Sequence, residues 1–343
     1  MNSGCKFGTH RVIYPIGSLP QAAKKLDNES SIFDNEIEIN VDVLNIDSAS
    51  FTQLKTASDN NPVKIAEMIL NIVNERGKMQ NPVTGSGGML IGTIKNIGKN
   101  HPDKSLKVGM KIATLVSLTL TPLFIKKINK VNIKNEQVEI EGTAYLFATG
   151  IYAVLPDDIP EKLALAALDV AGAPAQVNKL VKKGDIVYIL GAGGKSGLLC
   201  CYQAKKNVGK TGLVIAVEYR EDQKQLLLDN NLADIVLIHD ARNAHGLYKK
   251  VIDNNLPLGD VVINVVNINN TENASILIAK DEGLVYFFSM ATSFTKAALG
   301  AEGVGSDVTM LIGNGYTKNH ANFTLDIIRE SEFIRKIFME KYV

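Results

Sequence analysis

The stretch that decides the fold runs from Lys183 to Glu218. It reads Lys183-Gly-Asp185-Ile-Val-Tyr-Ile-Leu190, then Gly191-Ala-Gly193-Gly194-Lys-Ser-Gly197, then Leu198-Leu-Cys-Cys-Tyr-Gln-Ala-Lys-Lys206, and finally Thr211-Gly-Leu-Val-Ile-Ala-Val-Glu218. The continuous apolar run of the first block predicts a buried strand, and the glycines directly after it predict a sharp turn. Apolar residues at 198, 201, 204 and 208 keep helical spacing, and a second apolar strand follows from 212 to 217.

Strand, glycine turn, helix, strand and closing acid together indicate a dinucleotide-binding site. Phosphates can approach the bare backbone of the turn, and Glu218 lies 21 residues after Gly197, the offset at which an acid reaches an adenosine ribose. Lys195 is either a pyrophosphate ligand or a solvated lysine. The residues that the pattern predicts to bind the cofactor are Gly191, Gly193, Gly194, Lys195, Ser196, Gly197, Glu218 and Arg220.

The glycines also allow two other interpretations. Gly194-Lys195-Ser196 ends like a triphosphate-binding loop, but that loop needs a glycine five residues before Gly194, and position 189 is Ile. The glycines could also serve only to pack helix on strand. Glu218 argues against this, because a carboxylate that closes an apolar strand has no use in packing.

Composition restricts the class of protein. With 343 residues, of which 45% are hydrophobic, the chain can form two domains of ordinary size. The formal net charge of +1 disfavours nucleic acid or an anionic membrane as a partner. Three cysteines make no disulfide framework, and no apolar run is long enough for a signal core or a membrane span. We therefore expect a cytoplasmic protein.

The remaining pattern divides the chain. Residues 1–155 carry short alternating strands with glycine turns and one helix at 62–77, which predicts a β-rich barrel or sandwich domain. Residues 156–319 alternate strand and helix, with strands near 185–190, 212–217, 234–238, 260–266, 283–289 and 308–312, which predicts an α/β doubly wound Rossmann sheet. An amphipathic segment, 320–343, is expected to pack back on the β-rich domain or on a partner subunit of a homodimer.

Two motifs resemble the medium-chain dehydrogenase/reductase superfamily. Lys107-Val-Gly-Met-Lys-Ile-Ala113 is similar to its K-V-G-D-R-V-A turn, and the run from Gly142 to Pro156 is similar to its G-x-F-A-E-Y…L-P run. Glycines at every third position, 191, 194 and 197, resemble its quinone-oxidoreductase branch. The resemblance implies that the β-rich, GroES-like domain is the catalytic domain. The carboxylate of Glu218, which would repel a 2′-phosphate, predicts NAD as the preferred cofactor, and Arg220 leaves NADP possible.

Four longer blocks resemble amine dehydrogenases of anaerobic lysine degradation. They are Cys5–Pro15, Leu44–Phe51, Gly77–Leu90 and Leu165–Gln176. This resemblance implies oxidative deamination of a small diamino acid with release of ammonia. The chain departs from zinc-dependent relatives, because its cysteines are terminal or inside a predicted helix, and Thr84-Gly-Ser86 stands where those enzymes place a His-Glu pair. No metal is therefore expected.

Without zinc, acid–base chemistry falls to carboxylates. Asp169 interrupts an apolar helix run, and its apolar neighbours should exclude water. Zinc-containing relatives place a metal ligand in this region. Asp169 either contacts the substrate amine or makes a structural hydrogen bond. Asp47 follows a predicted strand, in the loop that faces the nicotinamide in relatives, and either contacts the amine or forms an Asx turn. Residues 45–51 as a whole are predicted to be a polar turn.

Further candidates are polar groups near these positions. The candidates for substrate binding are Ser48, Thr84, Ser86 and Arg11. Thr84 and Ser86 could belong to a plain glycine turn instead, and Arg11 could be a solvated arginine. The candidates at the carboxyl edge of the Rossmann strands, where a nicotinamide would lie, are Asn267, Ser289 and Thr292.

Two rival functions remain at this point. A zinc-free quinone or enone reductase would share the cofactor site and need an apolar substrate pocket. A dinucleotide-binding protein without catalytic activity would need no acid at 47 or 169.

Overall fold

A computed structural model describes residues 3–289, 291–313 and 315–343. The chain divides into two compact units, Met1–Asp157 and Asp158–Val343. In the described residues, no helix is both long enough and apolar enough to cross a membrane.

The first unit is built on an antiparallel sheet. Its strands, in order along the chain, are β1 Val12–Tyr14, β2 Lys25–Leu26, β3 Ile37–Asn45, β4 Met89–Ile97, β5 Lys111–Thr114, β6 Leu123–Asn132, β7 Gln137–Leu146 and β8 Tyr152–Val154. Six of them form one sheet in the order β6-β7-β3-β4-β5-β8, while β1 pairs with β2. Every neighbouring pair in the sheet is antiparallel.

Two helices, rather than a second large sheet, complete the core of this unit. They are α1, Ser48–Ala57, and α2, Pro62–Arg76. Phe51 and Leu54 of α1 and Ile69 of α2 are fully buried in one cluster with residues of β3 to β7. Helix α2 was predicted at 62–77, but residues 45–51 were predicted to be a turn and that prediction is wrong, because Asp47 caps α1.

The second unit alternates helices and strands. Its elements are α3 Glu161–Leu168, α4 Gly172–Leu180, β9 Ile186–Leu190, α5 Lys195–Val208, β10 Leu213–Glu218, α6 Asp222–Asp229, β11 Ile235–Ile238, α7 Ala244–Asp253, β12 Gly259–Asn264, α8 Glu272–Leu277, β13 Ala279–Phe287, α9 Phe294–Val304, β14 Val308–Ile312, α10 His320–Glu330 and α11 Glu332–Tyr342. The six strands form a parallel sheet in the order β11-β10-β9-β12-β13-β14. This is the doubly wound order, which reverses between β9 and β12.

All six strands predicted for this sheet are present, and the predicted fold class, a Rossmann sheet plus a β-rich unit, is confirmed. The C-terminal segment needs a correction. Helices α10 and α11 belong to the second unit and contact α3, α4 and α5, whereas the sequence suggested packing on the β-rich domain or on a partner subunit. Amphipathic spacing predicts that a helix buries one face but carries no information on which surface receives it.

Candidate functional site

The glycine turn joins β9 to the first residue of α5. Gly191 has φ +82°, a backbone conformation that side chains other than glycine rarely adopt. A Cβ on Gly197 would lie 2.1 Å from the Gly191 carbonyl oxygen, so helix α5 can approach the turn only with a glycine there. A Cβ on Gly193 would lie 2.8 Å from Cγ of Gln223. The backbone thus requires glycine at 191 and 197, whereas a side chain at 193 would displace Gln223.

Gly194 is different. A Cβ there would meet only the Gly191 carbonyl oxygen, at 3.4 Å, which is ordinary van der Waals contact, and its φ of −77° suits any residue. It is the N-cap residue of α5, a helix of 14 residues whose first N–H groups point out of the turn. A glycine that the protein does not need for its own packing leaves room for a ligand to approach the helix N-terminus.

Glu218 closes β10 beside this turn. Its side chain is only 9% exposed. One carboxylate oxygen accepts a hydrogen bond from the Gly193 N–H at 2.5 Å, and the other accepts from the Tyr219 N–H at 3.1 Å. These two bonds hold the Glu218 carboxylate against the glycine turn, and its contact with an adenosine ribose stays a prediction.

A cavity of about 840 Å³ opens over the turn. Its lining residues are Asp169, Val170, Gly191, Gly193, Gly194, Lys195, Ser196, Gly197, Glu218, Arg220, Asp222, Gln223, Val265, Val266, Asn267, Lys341 and Tyr342. Every residue expected at the adenosine and phosphate end is among them. Ser289 and Thr292 are close by, because the Ser289 hydroxyl lies 3.4 Å from Oδ1 of Asn267 and the Thr292 N–H donates to the Ser289 carbonyl.

Asp169 lies in this cavity, in surroundings unlike those expected. Its side chain is 50% exposed, and Oδ2 pairs with the Lys195 ammonium at 2.8 Å. The expectation that its apolar neighbours exclude water is wrong, because α3 ends at Leu168 and Asp169 stands at the C-cap, off the buried face of the helix. Its partner is the lysine of the glycine turn.

A second polar cluster lies in the first unit. The Ser50 hydroxyl, which is fully buried, is 2.7 Å from the Thr84 hydroxyl and 2.8 Å from the Ser86 hydroxyl. Thr84 and Ser86 are themselves 3.0 Å apart, so the three hydroxyls form a closed triangle. Ser86 Oγ donates to Oδ1 of Asp47 at 2.9 Å, and this cluster therefore brings together three residues that the sequence singled out.

Asp47 has two differently used carboxylate oxygens. Oδ1 accepts from the Ser50 N–H at 3.0 Å and so caps α1, as an Asx turn would. Oδ2 is buried and has no hydrogen-bond partner among the residues described. An ionised carboxylate oxygen without a partner has capacity for a donor such as an ammonium group.

Two predicted substrate ligands are occupied by structural contacts. The Ser48 hydroxyl donates to Glu136 at 2.7 Å instead of joining the cluster. Arg11 is fully buried: it donates to both oxygens of Glu36 at 2.7 Å, and its other N–H groups donate to the carbonyls of Asp27, Ser30 and Ser31 at 3.2 Å. Since every N–H of the guanidinium is used, Arg11 has no donor left for a substrate carboxylate.

Sequence reasoning missed several residues of the cavity and of the polar cluster. Ser50 stood inside a quoted block but was not distinguished from its neighbours. Gln223 lies in the first turn of α6, and Lys341 and Tyr342 lie more than a hundred residues further along the chain. The amphipathic pattern at the C-terminus was the only signal for the last two.

The described residues offer no cluster of metal ligands. Among residues 3–289, 291–313 and 315–343, no group of three or more His, Cys, Asp or Glu side chains could hold a metal ion. Cys200 and Cys201 are buried inside α5, and burial raises the pKa of both thiols.

The doubly wound sheet, with its glycine turn and closing acid, stands on one chain with an antiparallel six-stranded unit, a fold that this protein shares with solved oxidoreductases. The quinone oxidoreductase of Coxiella burnetii has the same fold, with a TM-score of 0.54 at 17% identity over 94% of this chain and 92% of that chain.

The nearer relatives identify the family. The chain is 59% identical over 342 residues to the L-erythro-3,5-diaminohexanoate dehydrogenase of Acetoanaerobium sticklandii, covering 99% of each protein. It is 56% identical over 345 residues, all of each chain, to the enzyme of that name in Fusobacterium nucleatum. The sequence profile of the L-erythro-3,5-diaminohexanoate dehydrogenase N-terminal domain matches residues 10–156. The chain belongs to the L-erythro-3,5-diaminohexanoate dehydrogenase family, so the predicted amine dehydrogenase resemblance and the prediction of an oxidoreductase are confirmed.

Proposed function

We propose that this protein oxidatively deaminates the 3-amino group of L-erythro-3,5-diaminohexanoate with NAD, or with NADP, in anaerobic lysine degradation. The products are 5-amino-3-oxohexanoate, ammonia and the reduced cofactor, with one water consumed and one proton released. The observation that carries the proposal is the full-length identity of 59% to a dehydrogenase of that name.

The cofactor cavity fits a dinucleotide. Gly194 leaves open space at the N-terminus of α5, although the packing of the protein would tolerate a side chain there. A helix N-terminus stabilises a diphosphate. Glu218 is held by two backbone N–H groups and can accept from ribose hydroxyls. Asn267, with Ser289 and Thr292 beside it, would hold the nicotinamide end. When bound, the nicotinamide supplies the acceptor for the hydride that leaves the amine carbon.

The substrate amine needs a base, because hydride can leave the carbon only when the nitrogen has a free lone pair. We assign this role first to Asp47, whose Oδ2 is buried and unpartnered in the described structure. Thr84 would donate to the substrate carboxylate, and Ser50 would orient its hydroxyl. Ser86, whose one hydroxyl proton is given to Asp47, would orient that acid. Asp169 is the second candidate, since its Lys195 partner engages only one of its oxygens.

The test is an assay of the purified protein with the diamino acid and NAD, following the absorbance of reduced nicotinamide. Release of ammonia in equal amount supports the proposal. Lysine, which has no 3-amino group, serves as the matched control and should give no signal. Reduction of a simple enone by reduced nicotinamide, without amine oxidation, would indicate a reductase instead, and binding without any turnover would indicate a protein without catalytic activity.

We also propose a cytoplasmic homodimer. All three cysteines are free thiols, which suits a reducing compartment. Strand β14 is at one edge of the parallel sheet, and the preceding helix α9 exposes Phe294 by 71% and Leu299 by 61%. A second copy could pair with this edge and cover both side chains. Light scattering of the wild type and of Leu299→Glu tests this, since the variant should shift toward the monomer.

A further inference from the structure

The last turn of α11 lies at the dinucleotide cavity, although α11 is not one of the helices that connect the strands of the sheet. Lys341 and Tyr342 both line the cavity. The helix is fixed along its inner face, where Ile334, Ile337 and Phe338 are buried. Its last turn is therefore held in place by packing rather than by the cavity itself.

Lys341 is linked to the glycine turn through one side chain. Its ammonium donates to Oε1 of Gln223 at 3.0 Å. Gln223 is buried and packs on Gly193, whose added Cβ would come within 2.8 Å of Cγ of Gln223. The ammonium, the amide and the turn are thus consecutive neighbours on one side of the cavity.

The cations of the cavity are not equivalent. Lys195 pairs with Asp169 at 2.8 Å, and Arg220 pairs with Asp222 at 2.5 Å. In the described part of the chain, the recorded partner of Lys341 is a neutral amide. No carboxylate of the described residues forms an ion pair with Lys341, so a bound anion gains more from Lys341 than from a lysine or arginine that must first leave an ion pair.

Tyr342 forms the wall next to this cation. Its ring centroid is 5.5 Å from the Lys195 ammonium and 5.1 Å from the ring of buried Phe338. Burial, and then the negative charge of Glu218, raise the pKa of the Tyr342 hydroxyl. A neutral aromatic face that lines the cavity beside Lys195 suits a nucleotide wall.

We propose that the C-terminal turn is part of the cofactor site: Lys341 pairs with the diphosphate of the bound dinucleotide, and the ring of Tyr342 packs against its adenosine half. The proposal rests on the proposed function only in taking the ligand to be a dinucleotide. A diphosphate carries two negative charges. The N-terminus of α5 compensates part of that charge, and Lys195 contributes little because it is paired with Asp169. Lys341 can therefore neutralise the remainder.

The experiment measures equilibrium binding of NADH by its fluorescence, without diamino acid and without turnover. Lys341→Ala should raise the Kd by about 10-fold, the effect of one charge-assisted hydrogen bond. It should raise the Kd of ADP by the same factor and leave that of adenosine unchanged, which locates the contact at the diphosphate. Lys341→Arg should retain most of the affinity.

Tyr342 is tested with two variants. Tyr342→Ala should raise the Kd about 5-fold, whereas Tyr342→Phe keeps the ring against Phe338 and should bind like the wild type. Lys336→Ala is the matched control for the lysine, because Lys336 lies on the same helix with its side chain 73% exposed. Tyr248→Ala on α7 is the control for the tyrosine, and both controls should bind normally.

The outcomes separate this inference from the function. If the wild type binds no NADH or ADP, the proposed function and this inference both fail. If the wild type binds, and Lys341→Ala and Tyr342→Ala melt and bind as it does, only the inference fails. Tighter binding by either variant also overturns it, because the turn would then obstruct the cavity.

Discussion

Gly194 and Gly197 are three residues apart in one turn, and the structure gives them different tasks. Gly197→Ala would place a Cβ 2.1 Å from the Gly191 carbonyl oxygen, so it should destabilise the protein by about 1–3 kcal/mol through overpacking. Gly194→Ala should leave the melting temperature nearly unchanged and raise the Kd for NADH by at least about 10-fold, because its methyl group enters the space for the diphosphate.

Melting curves of the two variants measure whether each glycine is needed for packing. NADH titrations measure whether each glycine is needed for binding. Equal affinity of Gly194→Ala and the wild type would show that this glycine does not face the ligand.

Glu218 leads to a prediction about cofactor choice. Its carboxylate is buried against the turn and oriented by two backbone N–H groups, so it can accept from ribose hydroxyls but repels a 2′-phosphate. We expect a higher kcat/KM with NAD than with NADP, and Glu218→Ala should reduce the difference. Arg220 cannot easily serve a 2′-phosphate, because it is paired with Asp222 at 2.5 Å. Steady-state kinetics that favour NADP by about tenfold or more would refute this argument.

At the scale of elements, Asp47 joins the end of β3 to the start of α1. Asp47→Asn keeps a side-chain oxygen that can cap α1 and removes the charge, so the melting temperature should change little. Turnover should fall by about 10²–10⁴, the usual range for a lost acid–base group, while the Kd for NADH stays the same.

Asp169→Asn is the comparison for this variant. Since Asp169 pairs with Lys195 in the cofactor cavity, its loss should change the affinity for NADH more than the turnover at saturation. The opposite result, with turnover lost and NADH affinity intact in Asp169→Asn alone, would make Asp169 the amine-binding acid.

Local patterns predicted the elements of the second unit well, for a physical reason. A buried parallel strand must be apolar along its length. This shows in the sequence as continuous apolar runs, which form Ile186–Leu190 and most of Leu213–Glu218. Helix α1 was missed because its first turn, Ser-Ala-Ser, looks like a loop until Asp47 is recognised as its cap.

The site was predictable only where its residues are close in sequence. The turn and Glu218 lie within one βαβ unit, so their spacing carries the information. Contacts between distant segments decide the other features of the site. They determine how exposed Asp169 is, that Arg11 donates to Glu36, and that Tyr342 lines the cavity. No periodicity within a segment records such contacts.

For the whole molecule, we predict activity that does not require a metal. A catalytic zinc needs about three protein ligands, and the buried Cys200 and Cys201 face the interior of the second unit. The Thr84 and Ser86 hydroxyls lie within hydrogen-bond distance of the Ser50 hydroxyl rather than facing a group of metal ligands. Turnover should therefore be unchanged after dialysis against EDTA, with metal content measured in the same sample. Loss of turnover that zinc restores would reveal a site that this argument has missed.

The stability of the whole molecule should depend on Lys78. This lysine is fully buried, its ammonium donates to the carbonyls of Pro20 at 2.7 Å and Gln21 at 3.1 Å, and burial lowers its pKa from 10.5 to about 8. Between pH 8 and pH 10.5 the unfolded chain binds more protons at Lys78 than the folded protein does. The free energy of unfolding therefore rises with pH in this range, and this pH-dependent gain is absent below about pH 8.

The size of the effect follows from the shift. From about pH 7 to about pH 9.5, Lys78 should add about 1–2 kcal/mol to the free energy of unfolding. Lys78→Met has a side chain of similar length and no charge, so its free energy of unfolding should lack this rise. The free energy of unfolding of the wild type should therefore increase relative to that of Lys78→Met as the pH increases. Urea unfolding of both proteins at the two pH values measures it. Parallel pH profiles would mean that the Lys78 ammonium is as well solvated in the folded protein as in the unfolded chain.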